Sequence, residues 1–364
     1  MFMRKIDQYI IRQFLFALSG SITFMVGVFL ITNVIDQLKY FSDPRVPGFT
    51  VFLYLINYIP EVLTQILPAA ALFSTSFMVG YLNQSNEIVA IYNGGIAFTR
   101  LLIPLLLVGV LIALGSFFFS EFVAADASKR SFELFKEIKL MAKSSVSALY
   151  SREKFYVMGK DETVYYIEYF NAGESLMNKP MLSRFDDAGV LSFQLAAEEG
   201  RYNPSTKLWD FKKINLLTFD AEKNLIEKKL ESMSMSLSED PKAFMQTPEN
   251  MSQMRFGDAL NFIEEKKKIG VNHRQYLVEF QRRFTFPFSI IIVILIGGVA
   301  GIYFKKAVLV MALLLSIAIS FAYYGMMAVG MAFGNSGKVH PVVAAWFANA
   351  VFLLAGIVIV RLKR

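Results

Sequence analysis

Six apolar segments constrain this chain more than any single motif does. They run roughly from Phe14 to Ile35, Val51 to Leu82, Leu101 to Ser120, Phe284 to Phe304, Ala307 to Phe333 and Pro341 to Val360. About 20 residues of α-helix cross a hydrocarbon core of about 30 Å, and each segment reaches that length. Five of the six carry no charged side chain, and the second holds only Glu61. A helix buried in a soluble core seldom runs so far without a polar face. The expected fold class is therefore a membrane protein with six transmembrane α-helices, three on each side of a polar insert. The first segment is too long for a signal-peptide core and no small-residue cleavage site follows it, so it should stay as a helix.

Charge placement gives the expected spans a direction. The chain has a net charge of +7, yet Val123 to Phe280 holds 23 Lys/Arg against 24 Asp/Glu, so the basic excess belongs to the membrane part. A nucleic-acid role for the insert has no electrostatic support. Arg4, Lys5 and Arg12 precede the first span, Lys305 and Lys306 lie between the fourth and fifth, and Arg361, Lys363 and Arg364 follow the sixth. Six crossings put all three clusters on one side, which the positive-inside rule makes cytoplasmic. Both termini are then cytoplasmic and residues 123–275 lie outside, in a periplasm or its equivalent. Arg282 and Arg283, at the outer end of span four, are one pair against three clusters.

The insert opens with a helical stretch from Ala124 to Lys143, with Phe132, Phe135 and Ile138 at helical spacing, continuing span three outward. From Tyr150 the period becomes two. Phe155 to Val157, a turn at Gly159 to Glu162, and Val164 to Ile167 read as a hairpin. Further turns fall at Asp186 to Gly189, Asn203 to Thr206 and Asp220 to Asn224. The pattern predicts a β-sandwich or jelly roll over residues 150–240. Pro241 and Pro248 bracket an extended linker, and Phe256 to Ile269 reads as a short helix with Phe256, Leu260 and Ile263 on one face and Gly270 at its end. The expected domains are 1–122 (spans one to three), 123–275 (the insert) and 276–364 (spans four to six).

No enzyme is visible. The nearest approach to a phosphate-binding G-x-x-x-x-G-K-[ST] loop is Gly337-Lys338, but Val339 follows and Ala332 stands where glycine is required. The two histidines, His273 and His340, are far apart, and there is no cysteine for a thiolate site or a disulfide. No G-x-S-x-G elbow occurs. Neither a cofactor nor a metal is expected in this chain.

The most informative segment joins spans two and three, at residues 83–96. Ser85 is placed to N-cap a short helix with Glu87 in its first turn, where a carboxylate suits the positive helix end. Ile88, Val89, Ile91 and Tyr92 supply apolar surface, and Gly94-Gly95 ends the helix. Such a helix either docks into a groove of a partner or lies on lipid.

The run Ser85-Asn86-Glu87-Ile88-Val89-Ala90 followed by Gly94-Gly95-Ile96, with Pro60 and Pro68 upstream in span two, resembles the coupling helix of the lipopolysaccharide-export permeases LptF/LptG. Asp7 to Arg12 and Val34 to Lys39 resemble the LptG partner in particular, and His340 to Trp346 with Asn349 resemble the family's last span. The resemblance covers essentially the whole chain. It implies a heterodimer of two similar permeases driven by a cytoplasmic ABC ATPase dimer, which binds the ATP and Mg. The complex would extract lipopolysaccharide from the inner membrane and hand it to periplasmic jelly-roll bridge proteins. Carried over by position, Ser85, Asn86, Glu87, Ile88, Val89, Ile91, Gly94 and Gly95 form the ATPase contact. Asn33, Asp36, Lys39 and Tyr40 on span one, with Arg282 and Arg283, are the substrate-rim candidates, and Arg45 ranks below Lys39. Asn33 and Tyr40 stand where LptG-like chains carry lysines, and headgroup anchoring is the competing reading of the arginines. Glu61 is the one charge inside a span and reads as interfacial if the span begins near Pro60.

Two other classes compete. One is an ABC-type permease for another amphiphile, a lipoprotein or glycolipid. The other is a scaffold anchored by its spans, against which six proline-interrupted spans argue, since one would suffice.

Overall fold

The computed structural model describes residues 5–142, 151–159, 163–171, 173–185, 191–219, 225–237, 239, 241, 244, 251–268 and 273–361. Six helical stretches among them are long and apolar enough to cross a membrane. In chain order the helices are α1 (Lys5–Asp36), α2 (Leu38–Phe41), α3 (Gly48–Gln84), α4 (Glu87–Asn93), α5 (Phe98–Phe119) and α6 (Ala125–Ala142). After the strands come α7 (Phe256–Lys268), α8 (Arg274–Gly301), α9 (Val308–Asn335) and α10 (Pro341–Arg361). A π-turn, Ser120–Ala124, joins α5 to α6 without a break in the rod.

The pair α3 and α8 forms the centre of the bundle, and small residues let it form. Between helices in lipid there is little hydrophobic drive, so close packing of small side chains does most of the work. On α8 a Cβ added at Gly301 would stand 2.7 Å from the Ser76 carbonyl oxygen, and one at Gly297 would stand 2.9 Å from that of Leu72. On α3 Ser74, Thr75 and Ser76 are fully buried, and each hydroxyl donates to the carbonyl one turn earlier. Ser74 also meets Ser21 of α1 at 2.8 Å. At the other end of α8, Asn349 of α10 accepts from the Tyr323 hydroxyl of α9 at 2.8 Å and donates to the Thr285 carbonyl at 2.7 Å. One buried amide thus joins three helices.

α3 is longer than a bilayer requires, and its first turns pack on α6 instead. Tyr54, Leu134 and Ile138 are buried together there, and the Tyr54 and Phe135 rings stack at 5.3 Å. Ile138 and Phe135 therefore face the bundle, as their helical spacing predicts. Glu61 lies where α6 begins, with Ser128 donating to it at 2.7 Å.

Six antiparallel strands follow in sequence order: β1 (Arg152–Met158), β2 (Val164–Asn171), β3 (Leu176–Phe185), β4 (Leu191–Asn203), β5 (Leu208–Phe219) and β6 (Leu225–Met235). The first hairpin has the expected register, with Phe155 opposite Ile167 and Met158 opposite Val164. The Asn203 turn also forms, since the Lys207 amide donates to the Asn203 carbonyl at 2.8 Å. The turns expected at 160–162, at 186–189 and at 220–224, together with Pro248 and Gly270, lie outside the described residues. The described strands make one up-and-down sheet. Its apolar face gathers Tyr165, Phe170, Trp209 and Phe211, and Phe244 is inserted among them. Phe155, Tyr165 and Ile167 of the aromatic strands belong to this core, while Tyr156, 45% exposed, meets Tyr166 outside it. At one edge β6 is almost wholly exposed.

α7 differs from its expected face. Ala259 and Ile263 are the buried positions, while Leu260 is 39% exposed. The helix has rolled so that Phe256 meets Phe280 and Phe284 of α8, and aromatic contact outweighs the burial of one leucine.

Candidate functional site

Two sites stand at opposite ends of the bundle. The first is built on α4. α3 ends at Gln84, and the Ser85 hydroxyl bonds back to the Tyr81 carbonyl at 3.0 Å. Asn86, in the left-handed region at φ 61°, makes the corner and stands at the N-cap without a side-chain cap bond. The expected capping role of Ser85 is therefore corrected: its hydroxyl belongs to the end of α3, and its contact with the next helix is a 3.0 Å bond to Oε1 of Glu87. The Gly94-Gly95 stop holds as expected. The Ile96 amide donates to the Ile91 carbonyl and the Gly95 amide to that of Tyr92, with Gly95 at φ +76°. That pair of bonds is a Schellman stop, and the left-handed residue in it favours glycine.

One face of this seven-residue helix is buried and the other is bare. Ile88 is 1% exposed and Ile91 packs beside it, in the cluster that holds Leu82, Ile10 and Phe14. Val89 and Tyr92 face outward, 47% and 40% exposed. Asn83 donates to the Ile302 and Phe304 carbonyls, tying the corner to the end of α8. Two further contacts were not foreseen. The Tyr9 hydroxyl donates to Oε2 of Glu87 at 2.9 Å, and Arg100 pairs with the buried Asp7 at 2.9 Å. Their signal in the sequence is weak, since Asp7 and Tyr9 stand in a polar helix start beside Lys5, Gln8 and Arg12.

The second site is a cavity of about 480 Å³ at the end that carries the sheet. Glu61 and Gln65 of α3, Ser116 of α5, Ser128 of α6, Glu279 and Arg282 of α8 and Tyr324 of α9 contribute its polar lining. Phe29, Met254, Phe286 and Met327 supply apolar wall. The Arg282 guanidinium makes no hydrogen bond or ion pair among the described residues, while Arg283 is committed. Arg283 donates to the Met251 and Met254 carbonyls and sits 3.5 Å from Glu121. Glu121 in turn accepts from the Phe256 amide, so these groups bind α7 and its preceding turn to α8.

The candidates on span one do not line this cavity; of α1, Phe29 does. Asn33 accepts from the Tyr54 hydroxyl at 3.1 Å. Asp36 is exposed at the end of α1. Lys39 lies 4.9 Å over the Tyr40 ring, and Tyr40 meets Phe135 edge-on at 6.1 Å. Of these residues Tyr40 packs on α6 and Asn33 bonds to α3, and none of them lines the cavity with Arg282. Arg45 is held by Asp43 at 2.8 Å and donates to the Ala142 carbonyl. Gln65, Ser116 and Tyr324 were missed, although single polar residues in apolar spans are a signal for such a lining, and Glu279 stands in the polar stretch ahead of span four.

None of the curated proteins matches this chain. The family model described as lipopolysaccharide export system permease LptF/LptG matches residues 8–363, nearly the whole length, and the chain belongs to that permease family.

Proposed function

We propose that this chain is one permease of a heterodimeric ABC exporter of lipopolysaccharide, with the LptG role, powered by a separate ATPase dimer. α4 is the motor's contact, and its geometry carries the proposal. The helix is clamped on one side by buried Ile88 and offers Val89, Tyr92 and the edge of Glu87 on the other. A cation in the ATPase groove would meet a carboxylate already oriented, and a charge-assisted bond of that kind transmits displacement well. The chain crosses six times with both termini cytoplasmic, and residues 123–275 are periplasmic. In this reading ATP and Mg belong to the partner.

Lipid would leave through the opposite end. Arg282, whose guanidinium is unbonded among the described residues, shares this cavity with Phe29, Met254, Phe286 and Met327, a combination that suits a phosphorylated headgroup carrying acyl chains. The sheet continues the route as part of a jelly roll, and the exposed β6 edge offers a strand to the bridge protein. The domain limits are those of the sequence reading.

Purification of the intact complex tests the assignment. A small ATPase and a second permease should co-purify, and mass spectrometry should find lipopolysaccharide rather than a lipoprotein or glycolipid. In proteoliposomes, Glu87→Ala should lower lipid moved per ATP by at least about tenfold, the scale of truncating one partner of a charge-assisted contact. Undiminished transport by that variant would remove α4 from the motor contact.

A further inference from the structure

We propose that Tyr9, together with the Asp7–Arg100 pair, moors α1 to the coupling helix, so that a push on α4 moves span one as well as spans two and three. The proposal rests on the reading of α4 as the motor's contact and extends it to a helix the chain does not connect to α4. These are positioning residues, acting through Glu87 and α5.

The geometry brackets α4 from both sides. Before its first turn is complete, the Tyr9 hydroxyl holds Oε2 of Glu87 at 2.9 Å while Ser85 holds Oε1 at 3.0 Å. Beyond its end, Arg100 in the first turn of α5 reaches back to Asp7 at 2.9 Å, and Asp7 is only 5% exposed. Asp7 and Tyr9 are two residues apart on the same helix, so a short stretch of α1 grips both flanks of the α4 segment. Below them Ile10 and Phe14 are buried with Ile88 in one cluster.

Only 17% of the apolar window of α1 is buried within the chain, the smallest share of any spanning helix described. Its buried residues, Phe14, Leu18 and Ser21, lie on the one face that packs on α3, and Asp7 and Tyr9 add the tie to α4 and α5. Displacing α4 must therefore carry α1 along or break a buried ion pair and a charge-assisted hydrogen bond, and the first is the cheaper course. An incoming cation need not displace Tyr9, because a carboxylate offers about four lone-pair sites.

The test uses the full complex in proteoliposomes containing lipopolysaccharide. Tyr9→Phe keeps the ring and removes the one donor, so lipid released per ATP should fall about fivefold, the factor of one net hydrogen bond. Glu87→Gln keeps an acceptor for Tyr9, and Tyr9→Phe added to it should lower the ratio again. A structural role alone would not move a second readout. Because the chain has no cysteine, spin labels at Arg12→Cys and Asn93→Cys report α1 against α4. Their separation should stay constant between nucleotide-free and ATP-bound states, and drift apart once Tyr9→Phe is introduced. An unchanged lipid-to-ATP ratio in Tyr9→Phe, or a separation that changes with nucleotide in the unaltered pair, overturns the mooring. If Glu87→Ala uncouples the exporter while Tyr9→Phe does not, the mooring alone fails. If Glu87→Ala is harmless, the coupling reading fails first.

Discussion

α8 and α1 are similarly apolar, yet 67% of the spanning window of α8 is buried within the chain and only 17% of that of α1. Hydropathy does not decide which of the two goes inside. α8 turns Gly297 and Gly301 toward α3, which answers with Thr75 and Ser76, and sets Gly298 against Leu102 of α5. α1 instead spreads Phe16, Phe24, Ile31 and Ile35 outward, and its own Gly20 and Gly27 meet nothing. α9 behaves like α1, with Phe321 82% exposed. A scaffold of close-packed helices therefore carries two helices whose faces are left for lipid or for a partner chain.

The largest effect expected breaks the scaffold side of this comparison. Gly301→Val would place branched carbons against the Ser76 carbonyl, with no flexible side chain to give way. The cost should reach about 3 kcal/mol, the upper range for overpacking, and thermal unfolding in detergent would read it as a large drop. Phe321→Ala, on the bare side, should change the isolated subunit by less than about 0.5 kcal/mol. Should the same Phe321→Ala weaken the purified heterodimer, the face of α9 belongs to the partner rather than to lipid. Equal effects of the two substitutions would erase the distinction.

That distinction was hidden in the sequence for a physical reason. Apolar length reveals a span, but small residues make an interface only when a partner's small residues stand opposite, and Gly20 and Gly27 look no different from Gly297 and Gly301 on paper. What was legible was local. The Gly94-Gly95 stop, the first β hairpin and the continuation of α5 into α6 all follow from turn chemistry and periodicity within a few residues. The α4 segment is legible for the same reason, but its N-cap is Asn86 rather than Ser85, because α3 runs on to Gln84 and takes the Ser85 hydroxyl for its own end. The cavity was not legible, since Glu61, Glu279 and Arg282 come from segments over 200 residues apart. Nor could the spacing of Asn33 to Tyr40 show that Asn33 bonds to Tyr54 of α3 while Tyr40 packs on α6.

A smaller effect sharpens the comparison at the cavity. Arg282→Ala should leave the fold intact, since its guanidinium makes no described bond, and should weaken lipid retention about tenfold. Arg283→Ala, one residue on, should instead loosen the junction of α7 with α8 by taking away bonds to Met251 and Met254. Lipid bound per purified complex and the unfolding midpoint separate the two outcomes. Two neighbouring arginines that fail in the same way would mean that the cavity does not distinguish them.

The smallest effect concerns how the bare helix is joined to the packed one. The loop between α2 and α3 is closed by Asp43 and Arg45, and Arg45 also donates to the Ala142 carbonyl at the end of α6. The hydrogen bond from the Arg45 side chain holds the Asp43 carboxyl at about 2, below its ordinary value of 3.8. A depressed carboxyl favours the folded loop at any pH above its unfolded value and loses that contribution as pH falls from about 4 through about 2. At neutral pH the tie is therefore fully present, and the pair is solvent-exposed, so its loss should be felt in the loop rather than in global stability. NMR titration of a protein labelled at aspartate should find Asp43 still ionised at pH 3, and Arg45→Gln should return its midpoint to near 4. A midpoint near 4 in the unaltered protein would mean that Arg45 does not hold Asp43, and that this loop adds nothing to the hold that Ser21, Asp7 and Tyr9 give α1.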